Sequence, residues 1–428
     1  MALNCGMLRE LTCAGLGLAL LLPTADPLRA DPIPSPSAAT VTEVGGKTLK
    51  KWLKDFTDED PSVREEAVQA VAYFPVTKET VAALLGRLHD SDASPRSAAV
   101  LVLFTLVPKI DEKDRSRVIE SLGRRLLGEE PQSPIRFEAA VVLGQFGKEA
   151  HGALAALVHG VEDQGSFEIR RACCADLASA GLTEKGPEPS VTRALLSALH
   201  DSAAGVRLQA IMTMAEMGRP DDQSLCMREI AGLKEATKDR DKTVAIWAHV
   251  GLMALDKIDK DGVAFLTQCT QTEELLRVRV QAVQALGMVG SKDNSVLPTI
   301  IAFLKDPDPE MVSGACLGLA AAGDPKGVDP LTEVAKTPGR SAQVRVQAVR
   351  ALGAIAAKSK TAVPPLIELL KDKDHDVAAN ACMALGALAD PPLGVEDKLT
   401  ELSKDKDIDE GVRQAATAAL EMIHKPKK

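Results

Sequence analysis

Arginine recurs at Arg64, Arg96, Arg136, Arg170, Arg207, Arg279, Arg345 and Arg413, each one residue after a Val, Ile or Pro and most of them shortly after an acidic turn. A regular row of guanidinium groups could grip a polyanion, but a guanidinium beside a carboxylate usually spends its charge on that neighbour. Each arginine is therefore expected to pair with a turn aspartate of its own or an adjacent copy of the pattern. The cysteines beyond residue 30 are Cys173, Cys174, Cys226, Cys269, Cys316 and Cys382, and none has the CxxC spacing of a metal or redox site. They are expected to be small buried apolar residues, with Cys316 and Cys382 about 20 Å apart and beyond disulfide reach. His89 and His200 each precede an aspartate at the end of a helix, where capping the helix C-terminus is expected ahead of metal binding. Gly45-Gly46-Lys47-Thr48 has the ending of a phosphate-binding loop. It lacks the earlier glycine, Val41 standing in its place, and the strand that must precede it. No HExxH, GxSxG or Cys-His arrangement occurs. The expectation is no catalytic residue, no metal and no cofactor.

The elements that would hold these residues form one repeating pattern. Its first residue falls at Val63, Pro95, Ile135, Ile169, Val206, Val244, Val278, Met311, Val344, Val377 and Val412. The mean spacing is about 35 residues, the length of two helices and two turns. Four residues after each start stands a small residue, Ala in ten copies and Cys173 in one, and eight residues after it stands Leu, Val or Met. Start, small residue and large residue share one helix face, so each copy ends in a helix that packs through a narrow seam. Asp60, Asp92, Asp241, Asp308, Asp374 and Asp409 stand three residues before the start and read as N-caps. Pro61 and Pro309 occupy the first helical position, where a missing N–H costs nothing. A second helix precedes each turn, as in VLPTIIAFLKD and AVPPLIELLKD. Each copy is thus helix A, a short acidic turn and helix B.

In this the chain resembles HEAT repeats of the phycobilisome-lyase type, in the armadillo-like superfamily. Their consensus is an acidic turn such as Asp306-Pro307-Asp308-Pro309, then Val-Arg, then an Ala-rich helix, and the resemblance covers about residues 48–424. It implies an all-α fold, a right-handed α-solenoid of about eleven HEAT-type helix pairs. It says little of activity, because such repeats serve lyases, hydroxylases, glycosylases and pure scaffolds. The related di-iron hydroxylases need His-Glu pairs, and none of the seven histidines here is followed by Glu. DNA glycosylases of this build use a basic, aromatic groove. This sequence carries a net charge of −9, with one Tyr and two Trp, so nucleic acid is not an expected partner.

Residues 1–30 are read as a secretory signal peptide: Arg9 precedes an apolar run from Leu11 to Leu22, which Pro23 ends, and cleavage is expected after Ala30. The run of twelve residues is too short to span a bilayer, so no membrane insertion of the mature chain is expected. Residues 31–47 are read as a flexible Pro- and Ser-rich tether, 48–424 as the solenoid and 425–428 as a basic tail. A secreted or periplasmic location follows as an expectation.

The remaining question is where a partner would bind. Counting 100° per residue, positions 2, 6 and 9 after each start are expected to face away from the seam, and in the central repeats they are mostly apolar or small. The candidate groove is lined by Leu208, Met212, Ile246, Val250, Met253, Val280, Gln284, Leu317, Val346, Arg350 and Met383. An exposed apolar stripe with adaptable methionines suits a peptide or helix of a partner protein. The competing expectation is that successive B helices bury this face and need Gly287, Gly353 and Gly386 for packing. The functional expectation is a non-catalytic protein-protein interaction scaffold, the alternative an enzyme-associated role, chromophore-lyase-like or regulatory.

Overall fold

The computed structural model describes residues 41–255, 260–272 and 274–424. The expected signal peptide, residues 31–40 of the tether and the basic tail lie outside the described residues.

Among the described residues there are twenty-two α-helices, which alternate as A and B helices in eleven pairs. In chain order the pairs are α1 and α2 (Leu49–Asp55, Pro61–Val71), α3 and α4 (Lys78–Arg87, Ala93–Leu106), α5 and α6 (Glu112–Arg124, Ser133–Gln145), and α7 and α8 (Leu154–Gly160, Phe167–Ala180). There follow α9 and α10 (Pro189–Ala198, Ala204–Met217), α11 and α12 (Gln223–Ala236, Lys242–Leu255), α13 and α14 (Lys260–Gln268, Leu276–Gly290), and α15 and α16 (Leu297–Ala302, Pro309–Ala322). The last are α17 and α18 (Val328–Lys336, Ala342–Ala356), α19 and α20 (Val363–Leu369, His375–Gly386), and α21 and α22 (Val395–Lys404, Glu410–His424). The fold is an all-α solenoid. Its contacts fall into two compact units, Met1–Ala236 and Thr237–Lys428.

Within each unit the B helices pack on the A helix of their own repeat, where that helix lies in the same unit, and on the B helices of adjacent repeats. The seam is the one the repeat specifies. All eleven small residues, from Ala67 to Ala416, have no accessible surface, and nine of the eleven large residues are buried, Leu252 and Leu420 being partly exposed. All six predicted aspartate caps form: the side chain of each accepts the backbone N–H two residues on, at 2.8–3.1 Å.

Two irregular spacings have local causes. Helix α5 runs on into a π-helical turn, Arg125–Glu129, that Gly128 closes at φ 108°, which lengthens the third repeat. Behind α8 a two-stranded hairpin, Leu182–Thr183 with Gly186–Pro187, is inserted before α9.

A second small hairpin precedes α1, Glu43–Val44 pairing with Lys47–Thr48. Gly45 and Gly46 turn it at φ 56° and 72°, the left-handed pair that a two-residue hairpin turn of this type requires. Trp52 Nε1 donates to the Val44 carbonyl at 3.0 Å, and Lys47 lies over the Trp52 ring and pairs with Asp55 at 2.8 Å. The Gly-Gly-Lys-Thr run is therefore a hairpin capping the first repeat. The end of the expected tether belongs to the folded body.

Candidate functional site

The arginine row is structural. Arg64 donates from Nε and Nη2 to both carboxylate oxygens of Asp90, in the next repeat, at 2.8 and 2.6 Å. Its Nη1 donates to the Asp58 and Glu59 carbonyls of its own turn, at 2.9 and 3.1 Å. Arg96 repeats this with Glu130 (2.7 and 3.0 Å) and the Asp90 and Ser91 carbonyls, and Arg170 grips Asp201 at 2.6 and 2.9 Å. Arg136 reaches Asp163 at 3.1 Å, Arg279 reaches Asp306 at 3.3 Å, and Arg345 pairs with Asp372. Each of these six arginines thus closes its own turn and staples it to the turn of the following repeat, which consumes the guanidinium, while Arg207 and Arg413 donate to carbonyls of their own turns. Burial pushes the Asp90, Glu130 and Asp201 carboxyls up, but the arginine fork, a backbone N–H and neighbouring positive charge outweigh it and hold each below the ordinary carboxylate range.

The described cysteines are free and buried as expected. Burial raises the Cys173 and Cys174 thiols far beyond the neutral range, that of Cys316 to about 12 and that of Cys382 to about 11, so none of these four is a ready nucleophile. His89 differs from expectation. Arg125 Nη1 caps the end of α3 by donating to the Leu88 carbonyl at 3.0 Å, while Nη2 stands 3.0 Å from His89 Nδ1. Burial, then the Arg125 charge, lowers the imidazole pKa, so His89 faces the guanidinium as a neutral acceptor and is not the helix-end cation. Among the described residues no three His, Cys, Asp or Glu side chains cluster as a metal site would require.

The candidate groove residues do not form one open surface. Leu208, Met212, Ile246, Val250, Met253, Gln284 and Val346 are buried; Val280 and Leu317 are partly exposed; only Arg350 and Met383 are exposed. The cause is the register of successive B helices. Position 9 of one repeat meets position 7 of the next: a Cβ on Gly287 would strike the backbone of Gly318, one on Gly353 would lie 2.8 Å from Ala384 Cβ, and one on Gly386 would lie 2.6 Å from Ala419 Cα. In the first unit a Cβ on Gly144 would strike the Asp176 carboxylate in the same register. Position 2 likewise faces position 3 of the next repeat, Val280 against Gly314. The apolar stripe is an inter-repeat packing face.

In repeats one, two and nine to eleven an outward strip remains, rotated from it by about one residue and drawn from positions −1, 3, 6 and 10, whereas in the central repeats position 6 is buried at Met212, Val250 and Gln284. In the first unit it presents Ser62, Glu66, Gln69 and Tyr73, then Ser94, Leu101 and Thr105; in the second, Gln343 and Arg350, then Asp376, Met383 and Ala387. Along the strip Arg350 Nε donates to Asn380 Oδ1 at 3.0 Å. Four of the chain's large exposed apolar side chains, Tyr73, Leu101, Met383 and Met422, lie at positions 6 or 10 of this strip.

Residues 263–341 and 338–421 match the family model described as HEAT repeats. Over those residues the chain carries HEAT repeats. Among solved structures the chain is similar to the crystal structure of the karyopherin Kap121p bound to the extreme C-terminus of the protein phosphatase Cdc14p. The identity is 14% and the TM-score 0.37, over 88% of this chain and 45% of that one, so this chain spans less than half of the karyopherin's length. No curated protein matches the sequence. Among the described residues no helix is long and apolar enough to cross a membrane.

Proposed function

We propose that this chain is a non-catalytic scaffold that holds another protein or peptide on the outward strip of its B helices, in the periplasm or outside the cell. The observation that carries the reading is the strip itself. The stapling arginines and the cysteines are committed to the fold, whereas within the second unit Met383 and Met422, and separately within the first Tyr73 and Leu101, present apolar surface between polar side chains on a repeating frame. Apolar anchors within a polar rim are what a protein partner recognises. The apolar run behind Arg9 supports export.

The test is capture of partners from the native cell envelope with the wild-type chain and with a strip variant, Arg350→Glu with Met383→Glu. Both side chains are exposed, so helicity and melting should be unchanged while recovery of the partner falls roughly tenfold. Capture of the same proteins in the same amount by both chains would remove the strip from the reading. N-terminal sequencing of the mature protein should begin at Asp31; a chain beginning at Met1 or Met7 would remove the export assignment.

A further inference from the structure

At one of the junctions of the second unit that lack the arginine staple, a cavity lies open. Repeat ten carries Ala378 where eight of the eleven repeats carry an arginine. Between it and repeat eleven lies a half-enclosed cavity of about 600 Å³, with Ala378 in its wall. Two other repeats of this unit also lack the arginine and are closed by other means. At the junction after Ala245, Lys242 pairs with Glu274; at that after Val312, Arg340 reaches back to the Leu304 carbonyl at 2.7 Å. After Ala378 the polar contacts to the following residues lie on the outside, His375 Nδ1 standing 3.2 Å from Asp409 and Lys360 pairing with Asp390 at 3.0 Å.

The acceptors that an arginine would use are still in place. Elsewhere the staple acid takes the backbone N–H two residues on: Asp90 from Asp92 and Glu130 from Gln132, both at 3.0 Å, and Asp372 from Asp374 at 2.9 Å. Asp405 does the same with Asp407 at 2.9 Å, and it lines the cavity. Arg64 and Arg96 use the carbonyls six and five residues before themselves; the residues so placed before Ala378 are Asp372 and Lys373, which also line the cavity. Leu370, Ile408 and Val412 supply apolar wall for an aliphatic stem. The rim lysines Lys371, Lys373 and Lys398 make no ion pair with Asp405 among the described residues. Within this one chain the same arrangement of acid and turn carbonyls thus holds a guanidinium at several junctions and stands open at this one.

We infer that the cavity between repeats ten and eleven receives the guanidinium of an arginine side chain carried by a partner protein. The inference deepens the scaffold reading and rests on it for the source of the arginine. A planar fork matches a carboxylate and in-plane carbonyls, so arginine is preferred over lysine.

The experiment titrates the full chain with N-acetyl-arginine methylamide and with its uncharged citrulline analogue, following the methyl signals of Ile408 and Val412 by NMR. The arginine amide should give saturable shifts, with an affinity at least about tenfold above that of citrulline. Ala378→Arg should supply the missing staple internally, raise the melting temperature and abolish the response. Asp405→Asn should weaken the response about tenfold with melting unchanged, which keeps the test decisive if the arginine variant fails to fold. No saturable shift in the wild type, or an equal response in Asp405→Asn, overturns the inference. Failure of the strip variant to lose its partner leaves the arginine response intact and overturns the scaffold surface alone, whereas partner loss on the strip without an arginine response overturns the receptor alone.

Discussion

Glu229 is the side chain whose cost is easiest to name. It lies on the inward face of α11 between Cys226 and Leu233, is 2% exposed, and its Oε2 has no hydrogen-bond partner. Burial alone pushes its carboxyl up to about 8. A glutamate whose folded pKa lies above its unfolded one holds a proton in the native chain that unfolding releases. Its contribution to stability is therefore fully present below the ordinary carboxylate range and is lost as pH rises towards 8. The loss over that window is on the order of 4 kcal/mol. Glu229→Gln keeps the shape and removes the ionisation. Thermal melts should show the variant several degrees more stable than the wild type at pH 9 and close to it at pH 5. A difference that does not change with pH would mean that Glu229 is hydrated or paired in solution. The stapling carboxylates have the opposite sign: Asp90, Glu130 and Asp201 are held low by their arginines, so the stability they add is present at neutral pH and is lost only as pH falls below the ordinary carboxylate range.

The B helices are set by how closely each can approach the next, and α14 against α16 is the tightest case. A methyl at position 287 would have to enter the backbone of Gly318, and backbone cannot move aside as a side-chain tip can. Gly287→Ala should therefore cost about 1–3 kcal/mol despite the better helix propensity of alanine, measured as a shift of the denaturant midpoint. Ala at position 339, a loop glycine with open space around its Cα, is the control and should be near neutral. This contact also shows where the sequence could be read and where it could not. Seam and caps were legible because a 0, 4, 8 pattern and a preceding aspartate report on one helix and its own turn. The outward face was not. It depends on the rotation of each B helix against its neighbours, and an error of one residue turned a packing face into a groove containing Met212 and Val250. A usable signal was present in the small residues at both positions 7 and 9, Gly318 with Gly287 and Ala419 with Gly386, which mark two helices meeting. Staple partners were legible in kind, since arginines alternate with acids. That each acid belongs to the following repeat follows only from the stacking direction.

Because seam, staple and glycine contacts each join one repeat to the next, stability in such a chain is a sum of repeat terms and nearest-neighbour terms. The second unit allows this to be tested within one body. Leu286 and Leu420 hold the same place in repeats seven and eleven. Leu286 is fully buried in α14, which packs on both α12 and α16, whereas Leu420 is partly exposed in α22, whose only neighbouring B helix is α20 among the described elements. Truncating a large seam residue loses its transfer energy and leaves a cavity wherever neighbours on both sides hold the space open. Leu286→Ala should cost about 2–5 kcal/mol in equilibrium denaturant melts. Leu420→Ala should cost less than about half as much, because water already reaches the site and the last helix can settle. The two variants should also differ in kind. Weakening repeat seven strains interfaces on both sides and should lower the midpoint of the whole unit, while weakening repeat eleven should chiefly advance hydrogen exchange in α21 and α22 and leave α14 to α18 protected. Equal losses, or exchange advancing uniformly after Leu420→Ala, would mean that the unit folds as one cooperative block and that the nearest-neighbour description does not apply to it.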